Sequence, residues 1–274
     1  MSYHTRSNSG PLGPHPIIQE VDEHLCRLRS SEATSTSSSS ISHKLSALQD
    51  LHECVDRLVQ LPLTQQALAQ EKHQKWTNEL LDGSLRLLDI CGIAKDSLFQ
   101  TKGSIQDLQS IIRRRHGDES AVLTSEARKY LTSRKMVKKT IRKASANLKA
   151  NRSTFSSLEN NQKTITIASK LRDVEAITLT VFESVLSFIY GPKSKPSSWS
   201  FVSSIVHSKR IVCEEAEVNE FAEVDAAFKS LKSVHVQNQL SNLESCIEDQ
   251  EEGLESLFRQ LIKNRVSLLN ILNH

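Results

Sequence analysis

Two histidine–cysteine pairs, His24/Cys26 and His52/Cys54, are the first side chains that suggest chemistry. Imidazole and thiolate both ligate zinc. On a helix, residues two apart point about 200° from one another, so neither pair closes on one ion. These histidines read as helix-surface or boundary residues. Adjacent carboxylates such as Glu214-Glu215 and Glu251-Glu252 have the groups for general acid–base work. They lie in strongly acidic helical stretches and read as solvated faces. There is no HExxH, no zinc-type Cys/His spacing and no Gly-x-Ser-x-Gly elbow. The glycines are scattered, so no phosphate-binding or dinucleotide fingerprint forms. No catalytic residue, cofactor or metal is expected.

Charge is distributed unevenly. From Ala127 to Leu158 there is no acid, and the bases are Arg128, Lys129, Arg134, Lys135, Lys138, Lys139, Arg142, Lys143, Lys149 and Arg152. On a helical wheel they cover more than half the circumference, opposite a Val137/Ile141/Leu148 stripe. Between Glu214 and Glu255 the sign inverts, with twelve acids against Lys229 and Lys232. The plainest reading is a solvated face, partly neutralised by acidic helices of the same bundle, where each surface pair contributes about 0–1 kcal/mol. A second is docking on an anionic membrane, at about 1 kcal/mol per base. The first eight of these bases, Arg128 to Lys143, are the candidate docking residues. Nucleic acid is disfavoured, because base stacking wants aromatics among the bases and only Tyr130 and Phe155 are there.

The elements that carry these charges follow from apolar spacing. Val21, Leu25 and Leu28 mark a short helix over residues 16–29. Residues 1–15 read as a disordered tail, and the low-complexity run Ser30–Ser40 (SSEATSTSSSS) as a flexible linker. Phosphate on that run, beside a helix N-terminus, would be stabilised by the helix dipole. A helical bundle domain then occupies 41–274. Ile41, Leu45, Leu48, Val55 and Leu58 predict one helix over 41–61, with Thr64 capping the next. A very long helix follows over 65–115, containing Gly83, Gly92 and Gly103. Each glycine costs roughly 1 kcal/mol against alanine, which suggests close approach of a neighbour or a bend.

Leu123, Tyr130, Val137, Ile141, Ala144 and Leu148 predict a helix over 119–150. The segment around Val174–Phe188 is apolar nearly all round, as a central bundle helix is. Its longest apolar run, Val174–Tyr190, includes Glu175 and Glu183, so a membrane span is not expected. A short helix around Trp199–Val206 and an acidic one over 214–230 come next. In the last helix Leu240, Leu243, Ile247, Gln250, Leu254, Leu257, Leu261, Asn264, Leu268 and Ile271 form a heptad seam, which either packs internally or pairs between two copies.

Composition agrees with long helices. The chain has 274 residues with only 8 Gly and 6 Pro, too few for the turns of a sandwich or a doubly wound sheet. The fold expected is all-α, an elongated bundle of long antiparallel helices. Five cysteines without a CxxC pair read as reduced residues, all but Cys213 in apolar helical patterns. That fits a reducing compartment, so a cytoplasmic or membrane-peripheral location is expected.

Four ordered blocks carry a resemblance. They are "PHPIIQEVDEHLCRLRSSEATSTSSSSISHKLSALQDLHECVDRLVQLPLTQQAL", "ELLDGSLRLLDICGIAKD", "RDVEAITLTVFESVLSFIYGPK" and "EEGLESLFRQLIKNRVSLLNILNH". Together, from His15 to His274, they resemble the plant-specific BYPASS-like family. The resemblance implies a role in root and shoot development, and no enzyme activity, cofactor or catalytic residue. For some members it also implies a plastid location, with which the acid-free residues before Glu20 are compatible. The partner expected is a protein, or an anionic membrane surface.

Overall fold

The structure is a computed structural model and describes residues 15–31, 37–70, 75–114, 120–150, 162–192, 219–230 and 236–273. These contain eight helices: α1 (Pro16–Ser31), α2 (Ser38–Val59), α3 (Pro62–Gln70), α4 (Lys75–Arg113), α5 (Ser120–Ala150), α6 (Gln162–Tyr190), α7 (Glu220–Ser230) and α8 (Val236–Asn273). Among the described residues there is no strand. At 1.5 Å per residue, α4 and α8 are each roughly 58 Å long, which makes the bundle elongated.

Local chemistry sets the helix ends. Pro16 and Pro62 open α1 and α3, where a missing N–H costs nothing. The hydroxyl of Ser37 accepts from the Ser40 amide at 3.3 Å and caps α2. Asn219 accepts from Ala222 N at 2.9 Å at the start of α7. Gly191 ends α6 at φ 82°, and its amide returns to the Ser187 carbonyl at 3.0 Å.

Several boundaries differ from those the spacing predicts. Ser30 and Ser31 belong to α1 and Ser38–Ser40 to α2, so both ends of the serine run are helical; residues 32–36 lie outside the described residues. α1 buries Ile17, Val21, Leu25 and Leu28 in the common core. Pro62 rather than Thr64 begins α3, and Thr64 is buried inside it. The described parts of the helix expected over 65–115 are α3 and α4, and residues 71–74 between them lie outside the described residues. The helix predicted around Trp199, the residues 214–218 and Cys213 lie outside the described residues, as do residues 1–14.

Core packing joins all eight helices in one apolar cluster. α8 packs most extensively on α4 and α2. Its seam is buried at nine of the ten predicted positions, and Ile271 packs partly buried against the core. The heptad seam is therefore satisfied within the chain. Contacts fix the directions. Lys95 meets Glu255, while Lys102 meets Glu251 at 2.9 Å, so α4 and α8 are antiparallel. Ser42 meets Gln250 and His52 meets Asn264, so α2 and α8 run parallel. Glu175 on α6 lies against Gly83 on α4, where an added Cβ would overlap its carboxylate. The close approach expected of the glycines occurs at Gly83 alone. A Cβ on Gly92 or Gly103 would meet nothing within 4 Å.

Candidate functional site

Helix α5 presents two unlike faces. Ala127, Tyr130, Arg134, Val137, Ile141, Ala144 and Leu148 are buried. Arg128, Lys129, Lys135, Lys139, Arg142 and Lys143 are exposed. At 3.6 residues per turn, all of these exposed bases except Lys129 fall within an arc of roughly 100°, opposite the buried face. The side chains of Lys149 and Arg152 lie outside the described ones.

Besides Lys129, two more of the eight candidate docking residues do not join this strip. Arg134 is only 2% exposed and cannot reach a surface ligand. Its Nε donates to Asp225 Oδ1 at 3.1 Å and its Nη2 to the Ile189 carbonyl at 2.8 Å, while its guanidinium lies over the Phe221 ring at 5.0 Å. Lys138 is half-buried, with Nζ 2.8 Å from Asp225 Oδ2. Tyr130 donates to Asp225 Oδ1 at 3.0 Å. Burial alone would raise the Asp225 carboxyl, but the charge of Arg134 outweighs it with help from Lys138, and the group lies below its ordinary range. Helix α7 is thus held by an internal ion cluster.

The outer strip lacks such neutralisation. Among the described residues, no acid lies within ion-pair distance of Arg128, Lys135, Lys139 or Lys143. Lys129 pairs with Glu126 at 2.7 Å, and Arg142 donates to the Tyr190 hydroxyl at 2.7 Å. Four of the six acids of α8 go elsewhere: Glu248, Glu251 and Glu255 pair with Lys102 and Lys95 of α4, and Glu244 accepts from Gln106 and Gln109. Met136, 54% exposed, flanks the strip.

Buried polar groups form a second cluster, which sequence reasoning missed. His52 is in the core, not at a helix surface. Thr178 gives its hydroxyl proton to the Val174 carbonyl at 2.6 Å. Its oxygen, 3.0 Å from His52 Nε2, therefore accepts the imidazole N–H. Nδ1 then accepts from the Asn264 amide at 3.1 Å. Burial pushes this imidazole down to about 4, so it is neutral. The adjoining cavity, lined by His52, Ser84, Glu175 and Asn264 among apolar residues, has a volume of about 40 Å³. That is room for water, not for an organic substrate. Glu175 is raised by burial, against the opposing charges of Arg86 and Arg172.

The cysteines are mostly interior. Cys54, Cys91 and Cys246 are buried free thiols, whereas Cys26 is exposed, contrary to its apolar pattern. Burial pushes Cys91 and Cys246 up to about 12, which leaves them as unreactive thiols. Among the described residues no group of three His, Cys, Asp or Glu is placed to hold a metal ion. No helix among them is long and apolar enough to cross a membrane.

No curated protein and no solved structure matches the chain. The family model described as Protein BPS1 matches residues 44–271, well over half of the sequence. That span contains the second, third and nearly all of the fourth block that carry the resemblance. With an all-helical core running through the same residues, the chain belongs to the BPS1, or BYPASS-like, family.

Proposed function

We propose that this BPS1-family chain is a non-enzymatic interaction protein of root and shoot development, whose working surface is the outer strip of α5. The single observation behind this reading is the contrast within one helix. Asp225 engages the inner bases Arg134 and Lys138, while Arg128, Lys135, Lys139 and Lys143 are exposed without a carboxylate partner among the described residues. Four bases on one helix face repel one another by a few tenths of a kcal/mol per close pair. The fold gains nothing from that, whereas an acidic protein surface relieves it and associates faster through steering. Proximity labelling in root tissue tests the reading. The native chain labels acidic partners that the Lys135→Glu, Lys139→Glu, Lys143→Glu variant does not. An identical labelled set from both chains contradicts it.

A second reading, peripheral docking on an anionic membrane, is favoured by Met136, an exposed apolar side chain beside the strip. Co-sedimentation with vesicles that contain or lack phosphatidylserine separates the two. Binding that depends on the anionic lipid and is lost in the same variant supports the membrane; binding to neither vesicle leaves the protein partner.

A further inference from the structure

Among the described residues, helix α4 carries an uncovered amphipathic face of its own. Leu85, Gly92 and Phe99 are spaced by seven, and Leu85 is 45% and Phe99 75% exposed. Three positions ahead of each, Asp82, Asp89 and Asp96 form a second line roughly 60° around the helix. All three aspartates are exposed, and none has an ion pair among the described residues. The antiparallel register set by Arg265 on the Leu81 carbonyl and Lys95 on Glu255 brings the exposed Ile262 and Val266 of α8 to the level of Leu85. Between the apolar ends sits Gly92, where an added Cβ would meet nothing within 4 Å. A glycine there costs α4 about 1 kcal/mol and serves no contact among the described residues.

We propose that this face receives a basic amphipathic helix of another protein. Its apolar side chains would rest on Leu85 and Phe99, with one knob over Gly92. Its lysines or arginines, repeating every seven residues, would meet Asp82, Asp89 and Asp96. Charge decides the occupant. An anionic membrane is repelled by three unpaired carboxylates, and antiparallel two-fold pairing of the face with a second copy lays the acidic line against itself. Opposite charge on a seven-residue repeat, beside an apolar line of the same repeat, is how helices select partners. This surface is independent of the α5 strip and would recruit a partner of the opposite sign.

The probe is a labelled helical peptide of about three heptads, with leucines on one face and lysines along its flank. A control peptide carries glutamates in place of the lysines. Fluorescence anisotropy against the full chain is expected to show binding of the lysine peptide alone. Asp82→Asn, Asp89→Asn, Asp96→Asn weakens that binding about tenfold or more, and Phe99→Ser with Leu85→Ser removes it. All of these side chains are exposed, so thermal melts of the variants stay close to the native one. The Lys135→Glu, Lys139→Glu, Lys143→Glu variant binds this peptide undiminished, so failure here and failure of the α5 reading are distinguishable. Equal binding of the glutamate peptide, or indifference to the three asparagines, overturns the proposal. So does a dimer in light scattering that Phe99→Ser dissolves, because a second copy then occupies the face.

Discussion

At the residue scale, α5 shows how position in a helix decides what a charge does. Arg134 and Lys135 are neighbours in sequence and opposite in role. Arg134→Ala removes the buried guanidinium shared by Asp225 and the Ile189 carbonyl, and leaves Asp225 only Tyr130 and the half-buried Lys138. It is expected to cost about 3–5 kcal/mol in urea unfolding, against about 0.5 kcal/mol or less for Lys135→Ala. Gly83 offers a second case. Gly83→Ala drives a methyl into the far end of the flexible Glu175 side chain, which must swing aside. Alanine also gains about 1 kcal/mol of helix propensity, so the net change is expected to be small and to turn more favourable in a Glu175→Ala background. A double-mutant cycle measures the coupling, and strictly additive effects would contradict the contact. His52 gives a pH dependence. Its folded value of about 4 lies below the unfolded 6.5, so between those values the unfolded chain binds more protons. Stability is full above about 6.5 and is lost as pH falls toward 4, by up to about 3 kcal/mol. Unfolding free energies of the native chain and His52→Gln, followed from pH 7 to 4, should differ in slope; parallel curves contradict the burial.

At the element scale, the three-and-four spacing of aliphatic residues makes the helices legible in the sequence. The α8 seam is the clearest instance, since even its polar members Gln250 and Asn264 lie inside as the spacing predicts. The same spacing also contains what composition misreads. Tyr130, Arg134, Val137, Ile141, Ala144 and Leu148 run in steps of four and three, and Arg134 fills the gap in the apolar series. Ile41, Leu45, Leu48, His52, Val55 and Val59 do likewise with His52. A polar residue completing such a series is interior, and composition-based rules that place Arg and His outside lose to register. Nothing within α8 reveals that Asn264 meets His52, because pairing across helices depends on which helices become neighbours. The neutralising partner of α5 is equally hidden. The twelve acids between Glu214 and Glu255 divide equally between the stretch 214–230 and α8, and the antiparallel register commits four of the six on α8 to α4. One aspartate on an eleven-residue helix, α7, supplies the counter-charge instead.

At the scale of the whole molecule, the described helices bury most of their apolar residues in one core, and their outer faces are mainly charged, with the exposed apolar side chains of α4 and α8 as the exception. Helices α4 and α8, each roughly 58 Å long, give long edges. One edge is basic along α5, and another is acidic and partly apolar along α4. The seam that offered a route to self-association is covered by α2 and α4 of the same chain, so size-exclusion chromatography with light scattering should report no dimer that Leu254→Ser or Leu261→Ser dissolves without unfolding the chain.

The claim that the outer bases of α5 are spare for folding and needed for function is tested most directly by complementation. A plant lacking this chain would receive either the native gene or the Lys135→Glu, Lys139→Glu, Lys143→Glu variant, and root and shoot growth would be scored. The variant protein should melt within a few degrees of the native one and accumulate equally, yet fail to restore growth. Full restoration by a folded, equally abundant variant would contradict the account.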